Sequence, residues 1–106
     1  MERWKVAPLP SKFPKVEVSS LGRVRYSNGL LITAMLRASR PTLPKYWAVW
    51  LRFKPGDDGR ARWWVHDLVL ETFVGLRPEG MTARYKDRDV MNLSVDNLEW
   101  APRKKE

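Results

Sequence analysis

Cysteine is absent from this chain of 106 residues. That excludes disulfides and thiolate metal sites and gives the expectation of a reducing, cytoplasmic setting. Histidine occurs once, at His66, so neither a histidine-based metal cluster nor a Ser–His–Asp triad with a spare base is expected. No apolar run approaches the roughly 20 residues that cross a bilayer. Met1-Glu2-Arg3-Trp4 opens no signal peptide, and no membrane partner is expected. Glycine-rich phosphate loops and Ser or Cys nucleophile motifs are also missing. Without repeats, low-complexity tracts or a linker, the length suits one domain over residues 1–106, with a modest core.

Positive charge, by contrast, is plentiful. Twenty Lys and Arg face twelve Asp and Glu, for a net charge of +8 and a pI near 10.2. A folded domain this basic attracts polyanions, of which nucleic acid is the commonest; the plainer alternative is a solubilising surface. Six Trp and three Phe can bury large areas in a small core.

The patterning predicts an α+β fold of small twisted β-hairpins in antiparallel sheet with one short helix. Pro8, Pro10 and Pro14 forbid a regular helix or a central strand near the start, and Trp4, Leu9 and Phe13 are expected to pin that arm to the body. Val16 and Val18, then Val24, alternate with polar residues as half-buried strands do. Gly22 sits where a turn needs positive φ, and Asn28-Gly29 is a hairpin signal before Leu30-Leu31-Ile32. Pro41 and Pro44 mark a loop. Tyr46 to Phe53 reads as a strand, with Arg60 to Val65 as its partner across a turn at Pro55-Gly56-Asp57-Asp58-Gly59. Pairing Arg52 with Arg62 would set Trp50 opposite Trp64 and build a basic, aromatic plate; a slip of one residue would mix the faces. Asp67 to Val74 forms a short helix with Leu68, Val69, Thr72 and Phe73 on one side, ended by Gly75. His66, at its entrance, reads as a satisfied core or capping residue. Arg103-Lys104-Lys105-Glu106 reads as a frayed charge run.

Val65-His66-Asp67-Leu68-Val69, Phe73, Gly80, Asp87, Asp89, Asn92 and Asn97-Leu98-Glu99-Trp100 together resemble the HNH nuclease family. Upstream, VEVSSLGRVRYSNG resembles the small β module that precedes the HNH unit in phage-encoded homing-type nucleases. The two occur in the family's order and cover about residues 3 to 101. The resemblance implies an N-terminal β module over 1–35 and, over 46–101, a hairpin, a helix and a truncated HNH-like ββα-metal hairpin. It also implies a phage-encoded protein in the bacterial cytoplasm.

The family's chemistry needs a general-base His on the first hairpin strand, a metal ligand just before it and a further ligand from a following helix. Those positions fall on Tyr85 and Arg84. A phenol with a pKa of about 10 is a poor base at neutral pH, and a permanent cation repels magnesium. After Pro102 the sequence offers little more than one helical turn. No intact catalytic group, metal or cofactor is therefore expected. Asn97 is expected to brace the hairpin, Asp87 and Asn92 to stabilise its loop, and Leu98 and Trp100 to anchor it in the core. Arg88 stands where the family has glycine. Asp87 and Asp89 could hold a metal, but a loop salt-bridged to Arg84, Lys86 and Arg88 is the favoured reading.

The expected function is binding of nucleic acid, duplex DNA above all, by a catalytically inactive HNH-like protein. The candidate contacts are Arg23, Arg25, Arg52, Arg60, Arg62, Arg84, Lys86 and Arg88, with Arg37, Arg40 and Lys54 as further cations. Such phosphate contacts position a protein without sequence choice. Two alternatives stay open. One is an interaction protein that grips a host protein with its Trp residues. The other is a residual Mg²⁺-dependent nickase using Asp87, Asp89 or Glu106 with His66.

Overall fold

The computed structural model describes residues 2–38, 40–54 and 59–103. Three small antiparallel sheets surround one helix. Strands β1 (Trp4–Val6), β2 (Val16–Ser19) and β3 (Val24–Tyr26) form the first sheet, in that order; β4 (Met35–Arg37), β5 (Tyr46–Arg52) and β6 (Arg60–Trp64) form the second. Helix α1 (Val65–Phe73) follows β6 directly, and β7 (Met81–Tyr85) pairs with β8 (Leu98–Pro102) as a hairpin.

The proline-rich arm contributes β1 as an edge strand, which tolerates nearby prolines because only one side must be hydrogen-bonded. Phe13 is buried and Leu9 packs on the core. Trp4 does not pin the arm to the core as expected. It lies beneath the Arg25 guanidinium, 3.8 Å from the ring centroid. Gly22 takes φ 91° and Gly29 φ 93° at the two turns that the sequence marks. β4 has no signal in the sequence. Its pairing of Met35 with Ala48 and Arg37 with Tyr46 is imposed by the neighbouring strand.

The β5–β6 register differs from the expected one. Arg52 lies opposite Arg60, Trp50 opposite Arg62 and Ala48 opposite Trp64. A shift of two residues preserves side-chain parity, so Trp50, Arg52, Arg60, Arg62 and Trp64 still share one face. The opposite face carries Val49 and Leu51 into the core. The expected turn at residues 55–58 lies outside the described residues, as do Lys104, Lys105 and Glu106.

Helix α1 starts at Val65, two residues before the expected Asp67, and Leu70 is fully buried along with Leu68 and Val69. Burial on more than one side follows from its position, because it packs against strands of all three sheets. Gly75, with φ 148°, ends it as its N–H bonds to the Leu70 carbonyl at 3.0 Å. No helix among the described residues is long and apolar enough to cross a membrane.

The β2–β3 turn docks onto the β7–β8 loop. Ser19 Oγ accepts the N–H groups of Leu21 and Arg23, Ser20 Oγ accepts that of Arg3, and the Ser20 carbonyl accepts the Val95 N–H at 2.8 Å. A Cβ on Gly22 would overlap the Leu93 side chain, whereas one on Gly29 would meet nothing. Gly22→Ala and Gly29→Ala share the left-handed backbone cost of about 1–2 kcal/mol. Gly22→Ala should lose roughly 1–3 kcal/mol more through overpacking, and comparing their urea midpoints checks this.

Candidate functional site

The β7–β8 loop is held by a compact set of amide and carboxylate bonds. The Asn97 side-chain oxygen accepts the Asp87 N–H at 3.0 Å, and its amide donates to Asp87 Oδ1 at 2.9 Å and to the Asn92 carbonyl at 3.0 Å. Asp87 Oδ1 also accepts the Asp89 N–H, Oδ2 accepts the Asn92 amide, and Asp89 Oδ1 accepts the Met91 N–H. These bonds hold the Asp87 carboxyl below its ordinary pKa, the Asn92 amide contributing most. The expected salt-bridged loop is corrected accordingly, because backbone and amide donors saturate Asp87, Arg84 bonds Glu99, and Lys86 and Arg88 enter no ion pair among the described residues. Arg88 adopts φ 62°, the one positive value at a non-glycine residue among those described. The glycine-like bend is thus kept by an arginine in the left-handed region. Trp100 packs against the core and its indole N–H donates to the Gly75 carbonyl at 3.0 Å, tying the hairpin to the end of α1.

Tyr85 is buried, with its hydroxyl 2.9 Å from His66 Nδ1. The Asp67 carboxylate lies 3.5 Å from His66 Nε2. It favours the proton on Nε2, so the phenol donates to Nδ1. Burial pushes His66 down to about 4 and Asp67 up to about 6, and it raises Tyr85 further above its ordinary value, with Tyr46 and Asp67 adding to the effect. A base made weaker and an acid made weaker do not exchange a proton readily, so the pair is a fixed hydrogen bond. Arg84 sits on the other face of β7, where its Nε donates to Glu99 at 2.7 Å.

These residues do not fit a hard divalent cation, which needs several free oxygen ligands. The position before Tyr85 is a cation bound to Glu99, and the Asp87 oxygens are taken by N–H donors. Among the described residues no three His, Cys, Asp or Glu side chains converge. Glu106 lies outside the described residues.

A half-open pocket of about 480 Å³ lies between the start of α1, the end of β6 and the hairpin. Tyr46, Trp64, His66 and Tyr85 form one side, while Asp67, Arg77, Arg84 and Arg88 also line it. Sequence reasoning did not bring Tyr46, Asp67 and Arg77 together. Nothing in the spacing of residues 46, 67 and 77 announces a shared cavity.

The candidate cations fall into two groups. Arg23 bonds Glu2 through Nε at 2.8 Å, Arg25 bonds Glu17 at 2.8 Å and Arg84 bonds Glu99, so each is locally compensated. Arg52, Arg60, Arg62, Lys86 and Arg88 enter no ion pair among the described residues. On the exposed face of β5–β6, the Arg60 guanidinium lies 4.5 Å from the Trp50 centroid and that of Arg62 4.7 Å from Trp64. A guanidinium held over an indole by cation–π attraction keeps its charge at the surface, where it can contact phosphate.

No protein-family model matches the chain, and no curated protein sequence matches it. Among solved structures, the fold is similar to that of the HNH homing endonuclease I-HmuI, described in terms of its DNA binding and cleavage. The TM-score is 0.73 and the identity 25%, over 94% of this chain and 52% of that one. The chain thus has an HNH-like, homing-endonuclease fold and spans about half the length of the structure it matches.

Two outcomes follow from this geometry. Asp67 binds its proton more tightly in the folded state, so it weakens folding as pH rises through the window from 3.8 to about 6. Asp67→Asn should therefore be more stable than wild type at pH 7 by up to about 3 kcal/mol, an advantage that disappears by pH 4, as read from urea melts at both pH values. Arg88→Gly should relieve the left-handed backbone and raise stability by about 1 kcal/mol, measured in the same way.

Proposed function

We propose that this chain binds duplex DNA without cutting it, through the exposed face of β5–β6 and the cations of the β7–β8 loop. The observation that carries this reading is the placement of Arg52 directly opposite Arg60, with Arg62 next along the strand. Like charges facing each other across a ladder weaken a sheet. An arrangement that folding disfavours makes sense where a polyanion completes it. Arg88, held at φ 62°, is a second cation kept at a local cost.

The HNH-like fold supports a nucleic-acid partner, since I-HmuI is described as binding and cleaving DNA. The cleavage half of that activity is not carried over. Its base position is a buried phenol bonded to His66, and the position before it is an arginine bonded to Glu99. The host-protein alternative loses its main support. Trp63 packs edge-on to Phe13, Trp100 is fixed to Gly75, and Trp4 is covered by Arg25. The Trp content is accounted for by the core and by arginine stacking.

The test is fluorescence anisotropy on a labelled duplex across a salt series. Binding should weaken steeply with salt, and Arg60→Glu with Arg62→Glu should weaken it at every concentration and flatten the log–log slope by about 2. An unchanged slope rules out this face. Supercoiled plasmid incubated with Mg²⁺ should stay intact, and nicked product would overturn the non-cleaving part of the reading.

A further inference from the structure

The binding face and the pocket are continuous. Trp64 carries the Arg62 stack and also lines the pocket, and Tyr46 borders the pocket from the neighbouring strand on the same face. A DNA strand whose phosphates follow Arg60 and Arg62 is therefore led to the pocket mouth. About 480 Å³ lies in the ~300–1,000 Å³ range of cavities that accept small organic groups.

The interior suits a nucleobase better than a bare phosphate. Tyr46 and Trp64, half-buried, line it with their rings nearly perpendicular to each other, at 83°. Behind them Tyr85 lies parallel to Tyr46 at 6.0 Å, and His66 is edge-on to Tyr46 at 5.4 Å. That separation leaves no room for a base between Tyr46 and Tyr85, and Trp64 already has Arg62 over its ring and His66 parallel to it at 5.9 Å, so a base would stack on the face of Tyr46 turned away from Tyr85. Asp67 supplies carboxylate oxygens for base amino groups. Arg77 and Arg88 also line the pocket, and their guanidinium groups suit the phosphates flanking an inserted nucleotide.

We propose that this pocket takes one unpaired nucleotide from DNA, its base against Tyr46, its edge toward Asp67 and its flanking phosphates toward Arg77 and Arg88. The proposal rests on the DNA-binding reading and narrows the partner to duplex carrying an extrahelical base. Such DNA has already met the cost of unstacking, which an intact duplex has not.

The experiment compares three labelled duplexes by anisotropy: intact, with a single-nucleotide bulge, and with an abasic unit at the bulge. Base stacking on aromatic side chains should make the bulged duplex bind about tenfold tighter than the intact one. The abasic bulge, equally flexible but without a base, should lose that gain. Tyr46→Ala should abolish the preference. Since Tyr46 also packs on the core, a 2-aminopurine bulge with the wild-type protein gives an independent readout, and its fluorescence should fall on binding as the base stacks. Equal affinity for all three duplexes, or a preference that the abasic bulge shares, overturns the pocket while leaving DNA binding intact. Failure to bind any of the three overturns the DNA-binding reading itself.

Discussion

Burial of one nine-residue helix is the constraint on which this structure depends. None of the three sheets has more than three strands, and sheets that small are stable only with a shared apolar face to pack against. α1 provides it for all of them. Val16 and Val18 reach it from the first sheet, Val49 and Leu51 from the second, and Tyr85 and Leu98 from the hairpin, in one cluster with Val65, Leu68, Val69 and Leu70. A helix that must serve three partners cannot keep a wide polar face. Its second residue, His66, is consequently drawn inside.

The inward position of His66 shapes the chemistry of the site. A buried imidazole needs a partner, and the hydroxyl of Tyr85 supplies one across the gap between α1 and β7. Tyr85 at this position joins the core, whereas a base that activates water must reach solvent and a metal. Meanwhile the hairpin loop keeps its shape through Asp87, Asn92 and Asn97, a scaffold independent of what stands at residues 84 and 85. The support of the loop in this hairpin is thus separable from the side chains that β7 presents at positions 84 and 85.

Local signals made much of this legible in the sequence. Asn28-Gly29 and Gly22 encode turns through residues that accept positive φ, and the two-residue alternation of β2 and β5 separates core from surface. The amide and carboxylate side chains at 87, 92 and 97 are suited to a braced loop. The composition of the Arg–Trp face could be read although its register could not, because a two-residue shift changes partners without exchanging faces. What escaped the sequence was non-local or contrary to local preference. Strand β4 exists because β5 offers an edge. The His66–Tyr85 bond joins residues 19 apart. Arginine at position 88, where the resembled family has glycine, adopts the left-handed bend that local preference disfavours. The two arrangements least favoured by local rules, Arg88 in the left-handed region and Arg52 facing Arg60, both involve surface cations. Natural sequences tend to break such rules where a site requires it.

The bond from the Val95 N–H to the Ser20 carbonyl, together with the seat of Leu93 against Gly22, has a kinetic consequence. It ties the loop of the β7–β8 hairpin to the β2–β3 turn, more than seventy residues earlier in sequence. On a ribosome the turn emerges first and the loop about seventy residues later, so the turn stays without this partner until then. Contacts that span so much sequence slow folding, because the chain gives up loop entropy before the contact repays it. The β2–β3 turn therefore waits as a template on which the later loop takes its seat.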